Sequence, residues 1–410
     1  MSFVSSGRLA LAASAMALVA GAAMADIRVT VAEYSSLTGP FFNDAAAAFE
    51  AETGTKVNIE VVPWDVLFQK LTTDISAGAQ ADLSIIGTRW LIDFASEDLV
   101  APLDDIISDD LRERFVPAFL DPSIMDGQLL GLPVAASARA MYFNSDLMAQ
   151  AGVESVPENW EELADAAAKI SALGDDIYGF GLQGAEIETD VYYYYALWSY
   201  GGDLITADGT SGLGTQAAVD AATMYKGLID AGVTEPGVTS YNREDVQNLF
   251  KQGRVGFMIT APFLATQIAN EVPDLNYGVS AIPAGPDGDR GTYGVTDSII
   301  MFENSPNKEE AAAFLDFVFG HDWRVRFDSG EGFLPVTSSV AEDPAFADDP
   351  VLSVFASLLP TARFAPTIAG WEEIAAIASD AMQSIYLSDG DSAIAPTLSA
   401  AADRINALLP

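Results

Sequence analysis

Apolar and polar positions alternate with period two over Ile27-Arg28-Val29-Thr30-Val31, the pattern of a strand with one covered face. A polar turn, Tyr34 to Pro40, follows. An Ala-rich helical run from Phe41 to Glu52 then ends at Gly54. Val57-Asn58-Ile59-Glu60-Val61 alternates again. Pro63 stands where a helix can start, and Leu67, Phe68, Leu71 and Ile75 follow at helical spacing, with Gly78 as the stop. A third strand, Leu83 to Ile86, empties into Gly87-Thr88-Arg89-Trp90. The order βαβαβ is the unit of a doubly wound α/β sheet, in which ligands lie outside the carboxyl ends of the strands. The expected cleft is therefore touched by Tyr34, Ser35, Thr88, Arg89 and Trp90.

Further along, Gly131 to Ala136 reads as extended and Met141 to Asn144 as a strand, with small residues between Ala135 and Ala140 suited to a crossover. Helices are expected over 145–152 and from Pro157 to Leu173. Leu249 to Ile259 reads as a helix end turning into a buried strand that delivers Thr260-Ala261-Pro262-Phe263. Tyr277 to Pro283 is a second extended passage, Ser298 to Phe302 an apolar strand, and Phe333 to Val336 a third passage. Helices close the chain, one of them beginning near Trp371.

Two local motifs invite chemistry. Gly179-Phe180-Gly181-Leu182-Gln183-Gly184 matches the spacing of a dinucleotide fingerprint, with Asp203 about 20 residues on. A helix and Gly201-Gly202 separate the two, where a helix and a strand are needed, so close backbone approach is the preferred explanation of these glycines. Tyr192 to Tyr195, with Trp198 and Tyr200, form the densest aromatic cluster. On a helix at most two or three of them can face a cleft. Packing, stacking on a sugar ring and phenolate ligation of ferric iron are the readings open to them.

The composition narrows these choices. There is no cysteine, which removes disulfides, thiolate metal sites, cysteine nucleophiles and a lipidated cysteine together. The single histidine, His321, cannot build a His-rich metal site and suits a helix junction. The chain carries 19 basic and 59 acidic residues, a formal charge of −40, which repels nucleic acid and anionic lipid. Arg8, the apolar segment Leu9 to Ala23 and Ala23-Met24-Ala25 read as a secretory signal peptide cleaved before Asp26, with export to a Gram-negative periplasm and no lipid anchor. No cofactor or metal is expected.

Taken in order, Phe49 to Val57, Ala81-Asp82-Leu83, Leu99 to Asp104, Met141 to Asn144 and Gly253 to Met258 resemble the family-1 extracellular solute-binding proteins of ABC importers, the maltose-binding-protein group. The resemblance spans essentially the whole mature chain. It implies a two-lobed α/β fold of periplasmic-binding type II with three crossovers: 1–25 signal peptide, 26–136 plus 283–335 lobe 1, and 137–282 plus 336–410 lobe 2. It implies a monomer with no enzymatic activity, closing on a carbohydrate or sugar-like solute and presenting it to an inner-membrane permease.

The family's contact regions fall on Tyr34, Ser35, Trp64, Thr88, Arg89 and Trp90, on the stretch from Glu186 to Tyr192, on Phe263, on Tyr293, Gly294 and Thr296, and on Trp371. Sugar hydroxyls take hydrogen bonds from planar polar groups, which adds Asp65, Asp297 and Arg363 to Arg89 and Glu186 as polar candidates, and the aromatic cluster adds Trp198. Tyr293-Gly294 departs from the glycine pair often seen there. Arg89 suits either an anionic group on the ligand or a salt bridge tethering its loop. Two other classes stay open: a ferric-ion binder using the tyrosine run, and a secreted glycoside hydrolase with a carboxylate pair such as Glu186 and Asp297.

Overall fold

The computed structural model describes residues 26–185, 189–366 and 368–409. The expected signal peptide and Glu186 lie outside the described residues.

Nine strands build two sheets. β1 (Ile27–Glu33), β2 (Val57–Pro63), β3 (Leu83–Gly87), β4 (Leu132–Ser137) and β9 (Val295–Met301) form the first. β5 (Ala140–Asn144), β6 (Tyr178–Gly181), β7 (Val255–Thr260) and β8 (Tyr277–Ser280) form the second. The first sheet runs β2-β1-β3-β9-β4, and the second β8-β5-β7-β6. β1 pairs parallel to β2 and β3, as a βαβαβ unit requires. β9 enters antiparallel between β3 and β4, setting Asp297 opposite Gly87. That inversion places the start of β9 beside the carboxyl end of β3.

Helices sandwich each sheet, and two apolar clusters result, the first continuing from the first sheet onto one face of the second through Tyr142, Val255 and Met258. Val29, Val31, Leu83 and Ile85 anchor one with Phe42 and Phe314, and Phe180, Phe257, Tyr225 and Ile374 anchor the other. β3 and β7 are buried at every position, the mark of strands covered on both faces.

Three local outcomes refine the sequence reading. The first helix begins at Thr38, ahead of Phe41. Pro40 sits in its first turn, where a missing N–H costs nothing. Tyr277 to Ser280 is an edge strand paired antiparallel with β5, with the passage between sheets following it. Phe333 to Thr337 remains against the first sheet: the Leu334 amide donates to the Ala136 carbonyl, and the Val116 amide donates to that of Val336.

The segments between the sheets are tied to one another. The Arg139 amide donates to the Thr292 hydroxyl at 2.8 Å, and that hydroxyl donates back to the Arg139 carbonyl at 2.6 Å. Thr292–Tyr293 also pairs in parallel with Ala362–Arg363, making a small ribbon from two separate segments. Gly294 lies under Phe364, whose ring a Cβ there would meet at 2.6 Å.

The fingerprint glycines are packing glycines. A Cβ on Gly179 would lie 2.2 Å from the Ala167 carbonyl oxygen, and one on Gly181 would lie 2.5 Å from Val246. His321 opens a helix, with Nδ1 3.2 Å from the Ser339 hydroxyl. Among the described residues no helix is long and apolar enough to cross a membrane.

Candidate functional site

On the first sheet, β3 ends in a tight turn, Thr88–Trp90. Thr88 is fixed there by hydroxyl contacts to Ser298 at 2.7 Å and Thr296 at 3.0 Å, both on β9. The loop after β1 is equally rigid. The Thr38 hydroxyl accepts from the Tyr34 and Ser35 amides and donates to Glu331 at 2.6 Å. Trp90 meets Trp64 edge-on at 5.6 Å, Trp64 meets Tyr34 at 5.7 Å, and Tyr34 meets Phe333 at 4.9 Å. Phe263, from the other sheet's β7 end, touches Phe333 at 6.3 Å. These rings form one continuous aromatic wall. Asp297 stands beside the Tyr34 hydroxyl, whose pKa burial and that carboxylate push well above its ordinary value.

On the second sheet's side lies the helix Thr189–Ser199, buried at every residue. Asp190, Tyr194 and Trp198 are spaced by four, so they share one face. Tyr293 stacks on Trp198 at 6.0 Å with the planes 10° apart, and also contacts Tyr194. The other tyrosines of the run serve packing: Tyr192 donates to the Ile259 carbonyl and Tyr193 to that of Ala218.

Arg89 reaches from the β3 turn to the starts of two helices. It makes a two-point bond to Glu372, through Nε and, at 2.7 Å, through Nη2. Its Nη1 lies 3.7 Å from the Asp190 carboxylate. Both acids occupy first helical turns, where unpaired N–H groups favour negative charge. Burial opposes the charge on Arg89, but Asp190, Tyr293 and Glu372 outweigh it and keep the guanidinium protonated. Burial raises Asp190 to about 7, against the pull of Arg89. A second tie joins the same regions: the Gly370 amide donates to Asp93 at 2.8 Å.

Several buried polar atoms here have no hydrogen-bond partner. They are the Trp371 indole Nε1 and both amide atoms of Gln183, whereas the Asp190 carboxylate and the Tyr194 hydroxyl face each other. Gln183 follows the carboxyl end of β6, and its side chain is wholly buried.

The structure thus brings Tyr34, Trp64, Thr88, Arg89, Trp90, Thr296 and Asp297 together on one side, and Trp198, Tyr293 and Trp371 on the other. Asp65 is exposed at its helix start, and Ser35 accepts from the Leu37 amide. Arg363 is bound to Asp203 at 3.0 Å, with its guanidinium over Trp198. Glu372 and Gln183 were not candidates from sequence, while Asp190 lay unnamed inside the Glu186–Tyr192 stretch and Tyr194 was one of the tyrosine run. The i, i+4, i+8 spacing of Asp190 with two aromatics was the available signal. Among the described residues no group of three His, Cys, Asp or Glu side chains is placed to hold a metal.

Comparison with known proteins agrees with this architecture. Residues 33–325 match the family model of the bacterial extracellular solute-binding proteins. A binding protein of Brucella abortus (strain 2308) is 61% identical over 96% of both chains. The galactooligosaccharide-binding protein of Bacillus subtilis (strain 168) is 23% identical over 85% of this chain and 82% of its own. Maltose-bound MalE3 of T. maritima superposes with a TM-score of 0.85 at 23% identity, covering 94% of this chain and 100% of that one. A solute-binding protein of Thermotoga lettingae bound to α-D-tagatose gives 0.84 at 23%, over 93% and 99%. The chain belongs to the bacterial extracellular solute-binding protein family.

Proposed function

We propose that the protein captures a carbohydrate or sugar-like solute between its two lobes, in the periplasm, and hands it as a monomer to the permease of an ABC importer. The observation that carries this reading is the stacked pair of Trp198 and Tyr293 with Tyr194 against both rings, together with unmatched buried polar atoms on Trp371 and Gln183. A buried polar atom left unmatched costs on the order of 1–3 kcal/mol. A polyhydroxylated solute supplies donors and acceptors for such atoms, and its apolar C–H faces suit aromatic rings. Tagatose, maltose and galactooligosaccharides are what the named relatives bind, which supports the same class.

The ferric-ion reading loses its ligands to packing, because Tyr192 and Tyr193 already donate to backbone carbonyls. Burial also raises Tyr193 and Tyr194, which disfavours phenolate.

The test is a thermal-shift screen of the mature protein against mono- and disaccharides and polyols. Binding to the folded state raises the melting temperature, since a ligand at about 100 times its Kd adds about 2.7 kcal/mol. A shift with a sugar or polyol is expected. No shift with any of them overturns the reading.

A further inference from the structure

We infer that the cleft is a charge filter that rejects acidic sugars, and that Arg89 positions the lobes rather than receiving a ligand anion. This rests on the carbohydrate reading. Arg89 is a cation placed between the two aromatic walls, and its hydrogen-bonding edge is already occupied. Nε and Nη2 serve Glu372, and Nη1 faces Asp190. With both carboxylates ionised, the Arg89–Asp190–Glu372 cluster carries one negative charge in excess, with Asp190 wholly buried.

Other cations around the cleft are also engaged. Arg363 pairs with Asp203, and Arg324 binds Asp328 and the Val134 carbonyl through Nη2, its unmatched Nε and Nη1 lying in a guanidinium packed over the Phe319 and Phe327 rings. Asp297 adds a further carboxylate beside Tyr34. A uronate or sugar phosphate would thus meet the buried carboxylate of Asp190, an acceptor-only group that faces Arg89 and Tyr194. Hydroxyl or ammonium groups supply donors, whereas a carboxylate supplies only acceptors. Bringing a second carboxylate beside a buried one is unfavourable in a low-dielectric site.

Arg89 has the geometry of a tie. It comes from the β3 turn of one sheet and grips helix starts that belong to the other core. A receptor for anions needs a free guanidinium edge, and a tie does not.

The experiment uses the mature protein and glucose, galactose and mannose in neutral, 2-amino and uronate forms, with maltose, mannitol and glucose 6-phosphate alongside. Melting temperatures rank the compounds, and calorimetry at pH 7.5 measures those that shift. The expected result is a shift with a neutral or amino compound, with its uronate at least 100-fold weaker. In Asp190→Asn, and separately in Glu372→Gln, that ratio should fall to 10-fold or less, a change that a purely structural role would not produce. A uronate or glucose 6-phosphate binding as tightly as the neutral compounds overturns the filter and leaves the carbohydrate reading standing. An unchanged ratio in both variants also overturns it. No shift with any compound overturns the carbohydrate reading, and the filter with it.

Discussion

At the scale of single residues, Arg89 matters through what it leaves behind when removed. Asp190 is wholly buried, so Arg89→Ala strands a carboxylate whose nearest cation is gone. Breaking a buried pair on one side costs about 3–5 kcal/mol, and the partial exposure of the Arg89 side chain argues for the lower end. Chemical denaturation should therefore show a loss of about 3 kcal/mol for Arg89→Ala. Adding Asp190→Asn should restore part of it; a double variant no more stable than the single one refutes the coupling. Gly179 offers a contrasting case. A methyl group there meets the Ala167 backbone at 2.2 Å, so Gly179→Ala should cost about 1–3 kcal/mol or more by overpacking. A melting temperature equal to the parent's would contradict that packing.

These residues also show what was legible. Thr88, Arg89 and Trp90 follow from a topological rule, because a strand end can be located from period-two alternation. Asp190 could not be found in that way. It is one acid among 59, and its spacing by four to Tyr194 and Trp198 puts the three on one face without saying whether that face is buried or solvated.

Among the elements, the helix Thr189–Ser199 was legible as a helix, while its orientation was not. All its positions are buried, and an apolar helix has no moment to say which face turns inward. Its neighbour, the loop from Leu182 to Ala185 that carries Gln183, rests on a buried acid. Glu235 accepts the Leu182 amide at 3.2 Å, and burial pushes its pKa up to about 8. The folded state thus binds this proton more tightly than the unfolded chain. The associated stability is complete below about pH 4.3, the unfolded value. It falls as pH rises and is gone above about 8. Replacing Glu235 with Gln keeps an acceptor for Leu182 and removes the titration. Thermal melts from pH 5 to 9 should be flatter for Glu235→Gln than for the parent, and parallel curves would exclude Glu235 as a contributor.

For the whole molecule, Asp190 and Asp328, each raised to about 7 by burial, act in the same direction as Glu235. The net charge of −40 adds self-repulsion that relaxes as carboxylates protonate or as salt screens them. Screening lengths fall from about 10 Å at 0.1 M to about 3 Å at 1 M salt. Melting temperature should rise between those salt concentrations at pH 8, by several degrees; a fall would mean that the surface ion pairs outweigh the repulsion. At this scale the doubly wound pattern and the order of elements were legible, since they depend on periodicity. The antiparallel entry of β9 between β3 and β4 was not, because strand order is set by contacts between residues far apart in sequence.

The mutual bonds of Arg139 and Thr292, with the ribbon of Tyr293 and Arg363, bear on how the halves move. Strands laced together cannot bend independently, so the hinge has essentially one axis, like a door on a single rod. An unliganded molecule restricted to one swing explores fewer orientations than one on three loose tethers. Less freedom is then surrendered on capture, so the lacing contributes to affinity without touching the captured molecule. Thr292→Val, which cuts both bonds, should broaden the distance distribution between spin labels on the two lobes and weaken binding without altering any contact surface.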